Sequence, residues 1–297
     1  MSIDVPSLLP LDVRARLATG ERLTTPMRAA GGGAGELVWH RWQPADAVRV
    51  AGAPPLVLFH GGSGSWTHWV KNIVPLLEAG RTVLAADLPG FGDSDLPDGG
   101  ADADAMAPVL ADGLRELLQG ERCDLVGFSF GGMTSALMLA DAPELARRLV
   151  LVGAPAMGVV PGRQFELRAW RHLKSAAEQA AIHRHNLGVL MLHDHDLIDG
   201  LALEVHMTNV PRDRAPRRRL AHTDILARTL PRVRCPVHAI YGEHDAIYQH
   251  YIHQLEDAFA AAAPDFRGMQ LIPGAGHWVQ FEAPEAFDAA LLRALAG

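Results

Sequence analysis

The chain has 297 residues, 48% of them hydrophobic, and a formal charge of −7. That balance predicts a globular α/β protein, one large domain or two small ones, with enough apolar side chains for a sizeable core, and it excludes a disordered chain. The negative charge argues against a general binder of nucleic acid or acidic membranes, and the one basic run, Arg217-Arg218-Arg219, is too short to alter that and reads as a solvated helix face.

Residues 1–35 have little periodicity and read as a leading segment with one short strand or helix. Charged residues within the first 20 positions leave no apolar run for a secretory signal, and no later stretch is long enough to span a membrane. A strand is expected over 36–42 and a loop over 44–55. Residues 56–59 read as a buried strand that runs into His60-Gly61-Gly62-Ser63-Gly64-Ser65-Trp66. Three glycines so close after a strand suggest backbone that must approach something closely, as an anion or oxyanion site made of N–H groups, or else a flexible connection. A phosphate loop is disfavoured, because no Gly-Lys-Ser/Thr follows.

A helix over 68–79, a strand over 82–86, a turn-rich stretch over 87–94 and a helix over 104–118 come next. Then Leu125-Val126-Gly127-Phe128 reads as a strand, Ser129 sits in the frame Gly-x-Ser-x-Gly, and small and apolar residues from Phe130 to Ala140 recur at helical spacing. A serine between strand and helix needs a very tight turn, and glycines two residues to either side leave room for it. The hydroxyl then stands at the positive end of a helix.

Residues 149–152 form another expected strand. Four buried strands alternating with helices predict a doubly wound, mostly parallel sheet. The rhythm breaks after Gly153. From 163 to 230 no strand is expected, and apolar residues follow helical spacing. The sheet pattern resumes at 237–241 and 269–272, and a helix closes the chain over 284–295. The expected organisation is a core of residues 1–155 and 231–297 with a helical lid, 156–230, inserted after the sixth strand. Cys123 and Cys235 each precede a strand. If those strands flank a third they lie about 9–10 Å apart, too far for a disulfide, so reduced thiols and a cytoplasmic location are expected.

A serine hydroxyl is a poor nucleophile without a base, and the base needs an orienting carboxylate. Both are expected on loops at the carboxyl ends of strands. Glu243 and Asp245 compete for the acid position in Gly242-Glu243-His244-Asp245, and His277 lies in a glycine-rich loop beyond the last strand. The order Ser129, acid, His277 is the one used on this sheet topology. Two His pairs, His183/His185 and His193/His195, look rich in metal ligands, but the first pair is two residues apart and points to different sides of a helix, so no metal is expected.

These residues together resemble the α/β-hydrolase superfamily. The resemblance is carried by the His60-Gly61-Gly62 loop, Asp87-Leu88-Pro89-Gly90-Phe91-Gly92-Asp93-Ser94, the Ser129 elbow, the Asp245 loop and Gly276-His277-Trp278, and it spans about residues 36–297. It implies Asp245 as the acid, oxyanion donors at the amides of Phe130 and of Gly61 or Gly62, and no cofactor. Within the superfamily the chain is most similar to the hydrolases that cleave C–C bonds of aromatic ring-fission products and to carboxylesterases. Two positions depart from the C–C hydrolases: His206 stands where they carry a lid arginine, and Phe128 where they carry asparagine. The expected function is therefore a serine hydrolase of a carboxylic ester or similar carbonyl compound. A C–C bond hydrolase is the alternative, and a non-catalytic receptor on the same fold a more distant one. Phe128, Trp66, His206 and Trp278 are expected in the pocket for a largely apolar small molecule. Arg212 and Arg214 are candidates for the missing lid charge, and a homodimer stays open.

Overall fold

The structure, a computed structural model, describes residues 3–162 and 164–296. Among these residues eight strands form one sheet: β1 (Glu21–Arg28), β2 (Ala34–Trp42), β3 (Leu56–Phe59), β4 (Val83–Ala86), β5 (Cys123–Phe128), β6 (Ala146–Val152), β7 (Val237–Gly242) and β8 (Phe266–Ile272). Their spatial order is β1-β2-β4-β3-β5-β6-β7-β8. The pairs β1–β2 and β2–β4 are antiparallel and every later pair is parallel. Every residue of β3, β4 and β5 is buried. Helices cover both faces, which is why these strands read as continuous apolar runs with no alternation. Successive residues of β3 enter opposite cores, Val57 and Phe59 on one side and Leu56 and Leu58 on the other.

The helices are α1 (Leu11–Leu17), α2 (Ile73–Glu78), α3 (Ala103–Leu118), α4 (Phe130–Asp141), α5 (Ala176–Asn186), α6 (Leu201–Asn209), α7 (Ile225–Thr229), α8 (Leu255–Ala262), α9 (Val279–Glu282) and α10 (Pro284–Ala296). Apolar side chains of α3, α4 and α8 join one core, and those of α1, α2 and α10 the other. The leading segment holds a strand as well as a helix. Pro26 sits in β1, at the sheet edge, where a missing N–H is tolerated. The expected helix over 68–79 is shorter. A 3-10 turn, Trp66–Trp69, precedes α2.

The chain goes from β3 to β4 on one side and then to β5 on the other. The loops after β3 and β5 are thus neighbours at the carboxyl edge, where open α/β sheets hold ligands. Between β6 and β7 the described residues form helices and irregular chain, and a π-helical turn, Leu187–Met191, extends α5. The helix α6 is tied to the leading segment: the Glu204 carboxylate accepts from Ser7 N at 2.6 Å, Ser7 Oγ at 2.5 Å and Leu8 N at 3.0 Å.

Behind the sheet, Asn72 Nδ2 donates to Gln280 O at 3.0 Å and to Asp288 Oδ1 at 2.9 Å, joining α2 to α10. Burial pushes the Asp288 carboxyl up to about 7, against the lowering effect of the Asn72 bond. An acid with a raised folded pKa holds a proton that the unfolded chain has already lost. Its stabilisation is complete below the unfolded value of 3.8 and is lost as pH rises through about 7. Asp288→Asn, which stays neutral, should gain on wild type by on the order of 3 kcal/mol in urea unfolding between pH 5 and pH 8.5. A difference between the two proteins that is the same at both pH values would contradict this account.

Candidate active site

Ser129 closes β5 and caps α4 with φ 50° and ψ −119°. The left-handed φ is uncommon for a serine and is held by close packing. A Cβ at Gly127 would lie 2.6 Å from Gly132 Cα, and one at Gly131 would lie 2.4 Å from His60 O. Only glycine lets the strand, the elbow and the neighbouring β3 loop approach this closely. The turn is fixed further by Ser129 N donating to Val152 O at 2.7 Å.

The Ser129 hydroxyl lies 2.9 Å from His277 Nε2, and His277 Nδ1 lies 2.9 Å from Asp245 Oδ2. Asp245 is wholly buried, and its other oxygen accepts from Ile247 N at 2.9 Å. With Nδ1–H directed at the carboxylate, Nε2 is left to accept from the serine. Glu243, the rival acid, is exposed and accepts from Gly274 N at 3.0 Å, so it braces the His277 loop and does not meet the ring. A second brace is His244 N donating to Ala275 O at 2.8 Å. Tyr241 and Tyr248 both donate their hydroxyls to Ala154 O, at 2.8 and 2.7 Å, and fix the loop after β6 against the site.

The β3 loop abuts the elbow, since a Cβ at Gly61 would lie 3.2 Å from Ser129 Cβ. The Gly61 amide donates to His68 Nδ1 at 3.3 Å and is thereby occupied. Among the described residues, the amides of Gly62 and Phe130 have no acceptor. The Phe130 amide is the first of α4, where N–H groups lack an intrahelical partner. His60 splices this loop to the next: its Nδ1 donates to Gly61 O at 2.7 Å and its Nε2 accepts from Leu88 N at 2.9 Å. Burial pushes His60 down to about 4, so the ring is neutral, as both hydrogen bonds require.

A cavity of about 550 Å³ opens above Ser129. Phe128, Met157, Phe165, Leu190 and Ile247 supply apolar wall. His206 lines it, beside His183 and His68. The His183 and His206 rings meet edge to face at 5.1 Å, and Trp170 packs on His183 at 4.9 Å. Burial, with His183 beside it, pushes His206 down to about 3. Burial also lowers His183, and it lowers His68, with help from His60, His206 and His277. This wall is therefore neutral imidazole.

Trp66 and Trp278 need correction: neither reaches the cavity. Trp66 packs between His40 and Trp42, at 5.5 and 5.2 Å. Trp278 is fully buried, donates to His68 O at 3.0 Å and stacks on Phe281 at 4.1 Å. Both are large apolar rings next to site loops, and both are used to hold those loops from behind. Arg212 and Arg214 also stay outside. Arg212 pairs with Asp93, and Arg214 is held by the carbonyls of Phe91, Gly92 and Ser94. The arginines on the cavity wall are Arg168, Arg171 and Arg218, the last paired with Asp213. Nothing local in the sequence singles out Arg218 and Asp213. His68 had a signal, its place just after the glycine loop. Among the described residues no group of three or more His, Cys, Asp or Glu is placed to hold a metal ion.

Residues 56–290 match the Alpha/beta hydrolase family. The chain is 30% identical to the 2-hydroxymuconate semialdehyde hydrolase of Pseudomonas sp. (strain CF600), over 78% of this chain and 83% of that protein. It is 26% identical to a 2-hydroxy-6-oxononadienedioate/2-hydroxy-6-oxononatrienedioate hydrolase of Escherichia coli O139:H28 (strain E24377A / ETEC), over 82% of this chain and 88% of that one. In structure it is similar to the carboxylesterase CesB (YbfK) of Bacillus subtilis, with a TM-score of 0.69 and 22% identity over 96% of this chain and 92% of the other. The chain belongs to the alpha/beta hydrolase family, and is a hydrolase built on its fold.

Proposed function

We propose that this hydrolase cleaves an uncharged carboxylic ester, or a similar carbonyl compound, through an acyl-enzyme on Ser129. The observation that carries this is the chain from Ser129 Oγ to His277 to Asp245, each link 2.9 Å, beneath a cavity of mixed apolar and polar lining. His277 Nε2 takes the Ser129 proton as Oγ bonds to the carbonyl carbon, and the carbonyl oxygen takes up the displaced electron pair. The amides of Gly62 and Phe130 hold that oxyanion. Its collapse expels the alcohol, which leaves with the proton from His277. Water then gives a proton to His277 and bonds to the acyl carbon. The second collapse releases the carboxylic acid and returns the proton to Ser129. Asp245 holds the ring orientation and balances the imidazolium in both halves. Residues 156–230 serve as the cap over this site.

The choice of an uncharged substrate rests on the His206, His183 and Phe128 part of the cavity lining. Neutral His206 and His183 offer single hydrogen bonds, not a bidentate cation, and Phe128 offers none. Cleavage of a C–C bond in a ring-fission dienoate is the second reading. It is favoured by the likeness to the semialdehyde hydrolase of Pseudomonas over most of both chains.

A fluorophosphonate probe should label wild type and leave Ser129→Ala unlabelled, and that variant should lose p-nitrophenyl butyrate hydrolysis by at least about 10⁴-fold. A folded wild type that takes no label refutes the nucleophile assignment. Ester and dienoate turnover compared on wild type should favour the ester; a faster dienoate selects the second reading. His206→Arg, which adds a fixed cationic fork, should shift the ratio of kcat/KM values toward the carboxylate-bearing dienoate by at least about tenfold. A ratio that does not move removes His206 from the specificity argument.

A further inference from the structure

The loop that carries the Gly62 amide is gripped from the cap segment. Ser63 lies at φ 54°, a left-handed conformation that a serine seldom adopts without support. Its Oγ donates to Asp213 Oδ2 at 2.6 Å. Asp213 is buried, and its carboxylate is engaged on every side. Arg218 Nη1 donates to Oδ1 and to Oδ2, at 3.0 Å each, and Ala215 N donates to Oδ1 at 2.8 Å. Such a charged pair in a partly dry setting is rigid as well as strong.

The same arginine touches the residues of both unengaged amides. Its Nη2 would lie 3.2 Å from a Cβ at Gly62, and it reaches Ser63 Oγ at 3.4 Å. Its guanidinium lies over the Phe130 ring at 5.2 Å and the Phe91 ring at 4.8 Å. The pair itself is anchored to the core, because Arg214 N donates to Gly90 O at 2.9 Å and Asp102 accepts from Arg219 N and Leu220 N.

We infer that Asp213 and Arg218 are positioning residues for the oxyanion hole. Asp213 holds Ser63 in its left-handed turn and so aims the Gly62 amide, while Arg218 wedges Gly62 against Phe130. The donors that meet a developing negative oxygen are then set by a pair from the segment between β6 and β7, and not by the β3 loop alone. The inference rests on the Ser129 hydrolase reading. It adds that the hole loses its geometry when the Ser63–Asp213 bond is cut, with the substrate cavity left in place.

The test compares wild type, Ser63→Ala and Asp213→Asn with p-nitrophenyl butyrate and with an alkyl trifluoromethyl ketone, which forms a tetrahedral oxyanion on a reactive serine. Ser63→Ala removes one hydroxyl and leaves the ion pair, so it guards against a variant that fails to fold. Both variants should lose kcat by at least about tenfold and lose ketone affinity by the same factor, with KM within about threefold of wild type. Unchanged kcat and ketone affinity in both variants, or a rise in KM alone, overturns the positioning role. A wild type that neither turns over the ester nor binds the ketone overturns the hydrolase reading, and this inference with it.

Discussion

The contact on which the site depends is the one between backbones at the end of β5. Ser129 is forced to a positive φ because α4 must start at once, and α4 can start there only because Gly127 and Gly131 have no side chains. That turn presents the hydroxyl above the sheet at the first amides of a helix. It also brings the β3 loop to within van der Waals distance, since the two strands are direct neighbours. Everything else in the site is arranged to meet a hydroxyl whose position is already set by strand pairing. His277 arrives from β8 and Asp245 from β7, and these two loops are bonded to each other before either meets the serine.

Around this rigid floor the polar groups are divided by charge. Arg218 on the cavity wall is paired with Asp213, and the buried Asp245 is hydrogen-bonded to His277 Nδ1 and Ile247 N. His68, His183 and His206, which face the cavity, are kept neutral by burial. A ligand entering this space meets hydrogen-bonding rings and apolar side chains, with Arg168, Arg171 and Arg218 also on the wall. The low dielectric of such a cavity strengthens whatever donors face a new negative charge. In the proposed reaction that role falls to the unengaged Gly62 and Phe130 amides.

The parts of the fold legible in the sequence are those written in local grammar. The central strands announce themselves as unbroken apolar runs because both faces are covered. The elbow is marked by its glycines, and the acid and base loops by their place after strands. The sequence reading names Ser129, Asp245 and His277, and the fold brings them within hydrogen-bonding reach of one another. Edge strands are harder to read. Glu21–Arg28 carries Pro26 and only partial burial, so it lacks a strand's usual signature and is held chiefly by pairing with β2. Trp66 and Trp278 mislead for a different reason. Adjacency to a site loop does not say whether a ring faces the ligand or supports the loop from behind, and here both do the latter. The Asp213–Arg218 pair is invisible in sequence because its contacts join residues about 150 positions apart, from Ser63 to the segment before β7.

The carboxylate of Glu204 has a wider consequence. It sits on the helix that carries His206 and is saturated by three donors from Ser7 and Leu8. The aim of the imidazole wall is thus tied to the leading residues, far away in the chain. A truncation that removes Ser7 and Leu8 would leave that carboxylate with its protein donors gone and would slacken one side of the cavity, with every lining residue still present. The cavity wall therefore has a handle outside the cavity itself. Ser7 and Leu8, distant in sequence from every lining residue, thus take part in shaping the wall that carries His206.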